Sequence, residues 1–257
     1  MKTGCWMFTR LWRADTRYWM ILFALMFVVG CSSQSAVKEN LGKHAEMKFD
    51  GEYKAKAMIN YLLYLPKDYE SKDKLPLLLF LHGAGERGSD LNLVKKHGPP
   101  RLIEEGKDFP FVVVSPQCPV NERWNTNTLT ALIDEIIASY KIDTDRIYVT
   151  GLSMGGNGTW RLASEIPERL AAVIPICGWG DPFAVCMMGK LPVWTFHGAK
   201  DVVVPIGSTD MLVEQLKRCG GNVEYTIYPE ANHDSWTETY NNPKIYEWLL
   251  SHSLTER

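Results

Sequence analysis

A serine between two glycines is the residue whose setting best suits covalent chemistry. Ser153 lies in the pentapeptide GLSMG at residues 151–155, and a further glycine follows at position 156. A strand-like segment precedes the serine and a helix-like segment begins behind it, which is the context of a sharp strand-to-helix turn with an exposed hydroxyl. Small residues suit such a turn because larger side chains would collide with neighbouring elements. We predict that Ser153 is a nucleophile; the alternative is a glycine-rich turn.

A serine hydroxyl becomes a good nucleophile only when a base removes its proton and an acid orients that base. Three histidines follow Ser153 in the chain: His197, His233 and His252. His233 lies in a loop after the last predicted strand, where the base belongs in the order serine, acid, histidine. His197 ends a strand and is interpreted as structural, and His252 ends the C-terminal helix and is interpreted as solvated. We therefore predict His233 as the base.

The acid of such a site is expected just beyond a strand that lies between the serine and the histidine in sequence. Asp201, in the segment GAKD, occupies that place and is the predicted acid. Asp181 and Asp234 are the alternatives. Asp181 follows an earlier strand, and Asp234 is adjacent to His233, where neighbouring side chains usually point apart.

Acyl transfer also needs hydrogen-bond donors for the developing oxyanion. The backbone N–H of Met154, directly after the serine, is the first predicted donor. The glycine-rich segment LHGAGERG at residues 81–88 follows an early strand, and the N–H of Ala84 is the second. His82 precedes the serine and is expected to brace this loop through hydrogen bonds. Glu86 and Arg87 form either a local ion pair, which we favour, or a substrate contact.

These residues require a scaffold that brings strand ends together. Short apolar runs alternate with amphipathic stretches from about residue 47, which predicts a mostly parallel central sheet with helices on both faces. The short connection between residues 176 and 191 leaves no room for a large lid domain. The predicted strands are 58–65, 77–81, 111–114, 146–150, 171–176, 193–196 and 223–228, and the predicted helices are 128–140, 154–164, 208–218 and 243–251.

The segments LHGAGERG, GLSMGG, FHGAKD and ANHDSW, in this order and spacing, resemble small esterases with the α/β-hydrolase fold. These esterases form the phospholipase/carboxylesterase and dienelactone-hydrolase-like branch of the fold. Members of this branch are often labelled "predicted peptidase" or are grouped with feruloyl and polyhydroxybutyrate esterases. The resemblance covers roughly residues 55–250. It implies a triad of Ser153, Asp201 and His233, and an oxyanion hole at Ala84 and Met154. Enzymes with a large cap and prolyl oligopeptidases with their N-terminal propeller differ from this chain.

The resemblance implies a carboxylic ester as the substrate, and an open cleft rich in tryptophan on an extracytoplasmic protein indicates aryl or carbohydrate esters such as feruloyl or acetyl groups. Trp124, Trp179 and Trp236 each lie beyond the C-terminal end of a predicted strand, the side where open α/β sheets bind ligands. We predict that they contact the substrate, and core packing is the alternative. Two other functions stay open: a serine peptidase or amidase acting on short peptides, and a non-catalytic binding module on a hydrolase scaffold.

The first thirty residues resemble a bacterial lipoprotein signal peptide. A basic leader precedes an apolar run that ends in VVGC at residues 28–31, similar to a lipobox, which makes Cys31 the predicted lipid attachment site. Residues 31–46 form a predicted polar tether and residues 47–257 the catalytic domain. These features predict an extracytoplasmic protein held to a membrane through Cys31. An uncleaved N-terminal anchor helix is the alternative.

Charge and cysteine content bear on three further properties: nucleic-acid binding, disulfide bonds and metal binding. Residues 1–30 carry four basic groups and one acid, so without them the formal net charge falls from −2 to −5, which disfavours nucleic-acid binding. Four cysteines would remain in the mature domain, and in an oxidising compartment they can pair. We favour a bridge between Cys177 and Cys186, with free buried thiols as the alternative. No CxxC pair or His/Cys cluster indicates zinc, and we predict neither a metal nor a cofactor.

Overall fold

A seven-stranded sheet forms the centre of the protein in the computed structural model, which describes residues 58–256. The strand order is β1-β3-β2-β4-β5-β6-β7, with β1 antiparallel to β3 and every other neighbouring pair parallel. The strands are β1 (Asn60–Tyr64), β2 (Leu75–Leu81), β3 (Val112–Gln117), β4 (Ile142–Leu152), β5 (Ala172–Ile176), β6 (Val193–Gly198) and β7 (Val223–Tyr228).

Six α-helices flank this sheet in the described part of the chain. They are α1 (Gly98–Glu104), α2 (Thr126–Ser139), α3 (Met154–Glu165), α4 (Gly207–Arg218), α5 (Trp236–Asn241) and α6 (Lys244–Leu250). The side chain of Asn125 begins α2 by accepting a 3.0 Å hydrogen bond from the Thr128 N–H, which satisfies a donor that has no partner inside the helix. Short 3₁₀ helices lie at Tyr69–Ser71, Ala84–Glu86, Leu91–Lys96, Pro167–Arg169, Ala184–Met188 and Leu254–Glu256.

The continuous apolar runs form strands that are covered on both faces. All seven residues of β2 are buried, as are all six of β3 and all five of β5. Alternate side chains of β2 enter opposite cores: Leu77 and Leu79 pack with α2, α3 and α4, whereas Leu78 and Phe80 pack with α1, α5 and α6. This arrangement confirms the predicted α/β-hydrolase fold with helices on both sides of a mostly parallel sheet.

The carboxyl ends of the parallel strands lie at one edge of the sheet and carry the loops with the predicted site residues. The connection from β5 to β6 holds only the 3₁₀ helix Ala184–Met188, as expected for a fold without a large lid. Helices α1 and α5 were not predicted. The first begins with Gly98-Pro99-Pro100, and the second, WTETYN, is too short to show a helical repeat.

The disulfide prediction was wrong. Cys186 pairs with Cys219, with their Cα atoms 5.5 Å apart, and Cys118 and Cys177 are free and buried. Cys177 follows β5 and packs in the core beside α5 and α6, whereas the helix that carries Cys186 packs into the core on the opposite side of the sheet. Proximity in sequence therefore did not bring Cys177 and Cys186 together, because the sheet separates them.

The predicted signal peptide, the polar tether, Cys31 and the first residues of the predicted catalytic domain lie outside the described residues. Within residues 58–256, no helix is long and apolar enough to cross a membrane.

Candidate active site

Ser153 occupies a strained turn between β4 and α3. Its backbone has φ 53° and ψ −114°, a region that residues other than glycine rarely adopt, and its N–H donates a 2.9 Å hydrogen bond to the Ile176 carbonyl. A Cβ atom on Gly155 would collide with the carbonyl oxygen of Leu81. Position 155 therefore requires glycine, because α3 begins in direct contact with the end of β2.

The structure brings the three predicted triad residues into one hydrogen-bonded chain. The Ser153 Oγ lies 3.0 Å from His233 Nε2, and His233 Nδ1 lies 2.7 Å from Asp201 Oδ2. A carboxylate accepts, so His233 donates from Nδ1 and its Nε2 lone pair faces the serine hydroxyl. This arrangement gives the imidazole the tautomer that a general base for Ser153 requires.

Asp201 is held by donors on both of its oxygens. Its Oδ1 accepts hydrogen bonds of 2.9 Å from the N–H groups of Val203 and Val204, and its side chain is fully buried. Burial by itself raises the pKa of Asp201. The hydrogen bond from His233 and those from the two backbone N–H groups outweigh burial, and the pKa of Asp201 lies below its ordinary value. The carboxyl is therefore charged at neutral pH and can stabilise a protonated His233.

A second histidine adjoins the same carboxylate. His197 is fully buried, and its Nε2 lies 2.9 Å from the Val204 carbonyl and 3.2 Å from Asp201 Oδ2. Its Nδ1 lies 2.8 Å from the Thr209 hydroxyl. Because both neighbours of Nε2 are acceptors, this nitrogen carries a proton directed at them. The structural role expected for His197 thus includes support of Asp201, a contact that the sequence indicated only through their spacing in FHGAKD.

The two alternative acids lie elsewhere. Asp181 accepts a 2.8 Å hydrogen bond from the Phe183 N–H, and Asp234 accepts hydrogen bonds of 3.0 Å from the backbone and side chain of Thr237. Both residues are exposed, and the His233 ring donates its hydrogen bond to Asp201 instead.

The glycine-rich loop after β2 adjoins the serine. Ala84 is the first residue of the 3₁₀ helix Ala84–Glu86, and Met154 is the first residue of α3. N–H groups at the start of a helix have no acceptor inside that helix, so both remain available to an incoming oxygen. The favoured ion pair between Glu86 and Arg87 was wrong: Arg87 donates to the carbonyls of Ala84, at 2.9 Å, and Glu122, at 3.3 Å.

His82 braces this loop, which confirms the structural interpretation of that histidine. Its Nε2 accepts a 3.0 Å hydrogen bond from the Cys118 N–H, so its Nδ1 carries the proton and donates to the Gly83 carbonyl at 2.6 Å. Burial lowers the pKa of His82 to about 4. The ring is therefore neutral near pH 7 and fixes the loop without adding charge.

The three predicted substrate-contacting tryptophans differ in placement. Trp124 packs in the core, as in the alternative interpretation, because it is only 3% exposed and its indole N–H donates to the His82 carbonyl at 3.2 Å. Trp179 is partly buried, and the guanidinium of Arg123 lies 5.7 Å above its ring. Trp236 is edge-on to His233, with ring centroids 5.2 Å apart, and of the three it lies nearest to the candidate base.

One group of metal-ligand types occurs at the site within the described residues. Donor atoms of Cys177, Asp201 and His233 lie within 4.8 Å of one another. Burial raises the pKa of the Cys177 thiol to about 12, so the thiolate that metals prefer is disfavoured. The carboxylate and imidazole already bond to each other, and this geometry suits proton transfer better than metal binding.

Comparisons with known proteins identify related esterases. Residues 109–249 match the phospholipase/carboxylesterase family. The bifunctional acetylxylan esterase/xylanase of Neocallimastix patriciarum is 32% identical over 184 residues, which are 67% of this chain and 26% of that protein. A probable feruloyl esterase C of Aspergillus terreus is 29% identical over 154 residues, 57% of this chain and 56% of that protein.

Solved structures show the same relationship. The crystal structure of a thermostable esterase is 40% identical, with a TM-score of 0.65, and the match covers 76% of this chain and 59% of that chain. Esterase PE8 is 21% identical with a TM-score of 0.58, covering 75% of this chain and 98% of that chain, and supports the fold alone. This chain spans about a quarter of the acetylxylan esterase/xylanase and three fifths of the thermostable esterase. Through its family match and its fold, this chain belongs to the phospholipase/carboxylesterase family.

Proposed function

We propose that this domain hydrolyses carboxylic esters through an acyl-enzyme on Ser153. The observation that carries the proposal is the continuous chain from Ser153 Oγ through His233 to Asp201, with 3.0 Å and 2.7 Å between the bonded atoms. These three hydrogen-bonded side chains supply a nucleophile, a base in the required tautomer and a charged acid.

In the proposed reaction, Ser153 Oγ attacks the ester carbonyl carbon while His233 Nε2 takes the hydroxyl proton. The carbonyl oxygen becomes an oxyanion, and the N–H groups of Ala84 and Met154 donate hydrogen bonds to it. His233 then gives its proton to the departing alcohol oxygen, which leaves an acyl ester on Ser153. Water then attacks the carbonyl carbon of this ester while His233 takes a proton from the water. His233 returns that proton to Ser153 Oγ, which releases the carboxylic acid and restores the serine.

The ester bond is favoured over the amide bond by relatives that share more than 25% identity with this chain and are named as esterases, among them acetylxylan and feruloyl esterases. The acylaminoacyl peptidase structure is 17% identical and supports the fold alone. Acetyl or feruloyl esters of carbohydrates are therefore the proposed substrates. Matched p-nitrophenyl acetate and p-nitroacetanilide test this choice, and comparable amide turnover would favour the peptidase alternative.

The nucleophile is tested by changing Ser153 to alanine. We expect turnover of p-nitrophenyl acetate to fall by a factor on the order of 10⁶, the loss found when a triad nucleophile is removed. Ser164→Ala is the matched control, because Ser164 lies on α3, the helix that begins after Ser153, and its hydroxyl donates to the Trp160 carbonyl. A fluorophosphonate probe should label the wild type and Ser164→Ala, but not Ser153→Ala. Full activity of Ser153→Ala, or no labelling of folded wild type, would reject the mechanism and favour a non-catalytic module.

We also propose that the protein is an extracytoplasmic lipoprotein attached to a membrane through Cys31. The apolar leader and the lipobox-like VVGC segment support this proposal. In a Gram-negative host grown with labelled palmitate, the wild type should carry label in the membrane fraction and Cys31→Ser should not. Cys118→Ser is the control, since Cys118 is a buried thiol. Equal labelling of Cys31→Ser, or an unlabelled wild type, would contradict lipidation at this cysteine.

A further inference from the structure

A carboxylate beside the predicted oxyanion loop has acceptor capacity that the structure leaves unused. The Glu86 side chain is only 9% exposed. Within residues 58–256 its closest charge partners are His97 Nε2 at 3.7 Å and His82 Nδ1 at 4.0 Å, both beyond hydrogen-bond distance. A nearly buried carboxylate can accept about four hydrogen bonds, and burying it without them is costly. The group is therefore poised to accept hydrogen bonds from a ligand.

The nearest basic groups do not satisfy Glu86. The Nδ1 proton of His82 is directed at the Gly83 carbonyl, and burial keeps this ring neutral near pH 7 by lowering its pKa to about 4. The guanidinium of Arg87 bonds instead to the carbonyls of Ala84 and Glu122. That leaves a partly exposed imidazole, His97, as the adjoining side chain with a donor to offer.

Glu86 lies between the predicted base and the predicted oxyanion loop. The His97 ring is edge-on to Trp236 with centroids 5.5 Å apart, and Trp236 is edge-on to His233 at 5.2 Å. On its other side, Glu86 Oε2 lies 3.2 Å from the place that a Cβ on Gly83 would take, in the oxyanion loop. The base that protonates the leaving oxygen and the loop that holds the oxyanion therefore flank this region.

We propose that Glu86, His97 and Trp236 form a subsite for the alcohol portion of the ester, and that this alcohol is polyhydroxylated, as in a carbohydrate ester. Glu86 accepts hydrogen bonds from hydroxyl groups near the ester, and the Trp236 ring packs against the C–H face of the sugar. This inference rests on the proposed ester hydrolase function.

Two substrates that differ in hydroxyl donors test the subsite, and the Glu86→Met variant separates the effect of the donors from that of the added methyl groups. Methyl 6-O-acetyl-α-D-glucopyranoside has free hydroxyls, and its 2,3,4-tri-O-methyl derivative has none. A hydrogen bond to a charged group corresponds to a factor of roughly 10 to 150. We expect wild-type kcat/KM to favour the hydroxylated ester by at least about tenfold. Glu86→Met, which keeps the side-chain length and removes the acceptors, should bring this ratio to within about threefold of unity. Glu86→Gln should give an intermediate ratio.

Glu214→Met is the matched control, since Glu214 is exposed on α4 and pairs with Arg218. It should keep the wild-type ratio. A wild type that hydrolyses p-nitrophenyl acetate but does not favour the hydroxylated sugar ester overturns the subsite, and so does a folded Glu86→Met protein that keeps the ratio. Absence of this preference in the wild type overturns the subsite even if Glu86→Met fails to fold, and Glu86→Gln then tests whether the preference depends on Glu86. No hydrolysis of any ester, with no fluorophosphonate labelling of Ser153, would instead reject the proposed function itself.

Discussion

Asp201 shows how single residues determine what this site can do. Two backbone N–H groups bind one of its oxygens, while His233 donates to the other and His197 lies 3.2 Å from it. With its acceptors occupied, the carboxylate cannot turn away from His233. The same contacts favour its charged form, which is the form that stabilises the imidazolium created when Ser153 loses its proton.

Changing Asp201 to asparagine should therefore impair catalysis more than folding. The amide nitrogen would compete to donate where the carboxylate accepts, which favours the wrong tautomer of His233. We expect kcat to fall by about 10⁴, as for the equivalent change in a serine protease triad. Asp181→Asn is the control, because Asp181 is exposed and bonds only to its own loop through the Phe183 N–H. An equal loss in Asp181→Asn would contradict the choice of acid.

The same variant carries a stability signature in acid. Because folding lowers the pKa of Asp201, its contribution to stability is present above its ordinary pKa near 4 and is lost as pH falls through the lower folded-state value. The free energy of unfolding should thus decline less steeply below about pH 4 in Asp201→Asn than in the wild type. Denaturant unfolding between pH 2.5 and 7 measures this difference. Parallel curves would show that Asp201 does not titrate as inferred.

The order and spacing of the motifs identified the residues that the structure joins, but not all of their neighbours. Ser153, Asp201 and His233 could be predicted because each follows a recognisable strand. The orientation of Arg87 away from Glu86 could not be predicted, because one of the carbonyls to which Arg87 donates belongs to Glu122, 35 residues further along the chain. Contacts of this kind depend on where distant loops meet, which local pattern does not encode.

At the scale of elements, the site depends on loops that pack closely on one another. The Lys200 N–H donates to the Ala231 carbonyl at 2.9 Å, which ties the loop after β6 to the loop that carries His233. A Cβ on Gly198 would collide with the backbone of Asn232 and Ala231. The acid loop and the base loop can meet only because β6 ends in glycine.

Gly198→Ala should consequently push the His233 loop away from Asp201. A shift of about 1 Å at a reacting group can cost roughly 100-fold in rate, and we expect a loss of kcat of that order together with a lower melting temperature. Gly207→Ala is the matched control, because a Cβ at the start of α4 would meet nothing within 4 Å. Wild-type kcat in Gly198→Ala would contradict the proposed close approach.

The elements themselves could largely be predicted, for physical reasons. All seven strands were identified, although β4 begins at Ile142 rather than 146. The buried parallel strands β2, β3 and β5 were recognisable because strands covered on both faces need continuous apolar runs. Helix α1 was missed because its first turn contains two prolines, and α5 because its six residues, with Trp236 and Tyr240 as the apolar pair, are too few to show a helical repeat. Such short helices are set by tertiary packing: α5 contributes the fully buried Tyr240 to the core.

At the scale of the whole molecule, the two faces of the sheet form separate cores, and the disulfide belongs to one of them. Cys186 lies on the 3₁₀ helix between β5 and β6, and Cys219 directly follows α4. The bridge therefore joins two elements that cover the same face. A disulfide at this place also suits the oxidising compartment proposed from the leader.

Removing this bridge should lower stability without removing the site. The two cysteines are 33 residues apart, and closing a loop of that length in the unfolded chain corresponds to about 3 to 4 kcal/mol. The double variant Cys186→Ser/Cys219→Ser should therefore lose about that much free energy of unfolding in denaturant titrations. Reductant should destabilise the wild type by a similar amount and leave the double variant unchanged, which separates the bridge from the serine substitutions. Identical unfolding of oxidised wild type and double variant would show that the bridge does not stabilise the fold.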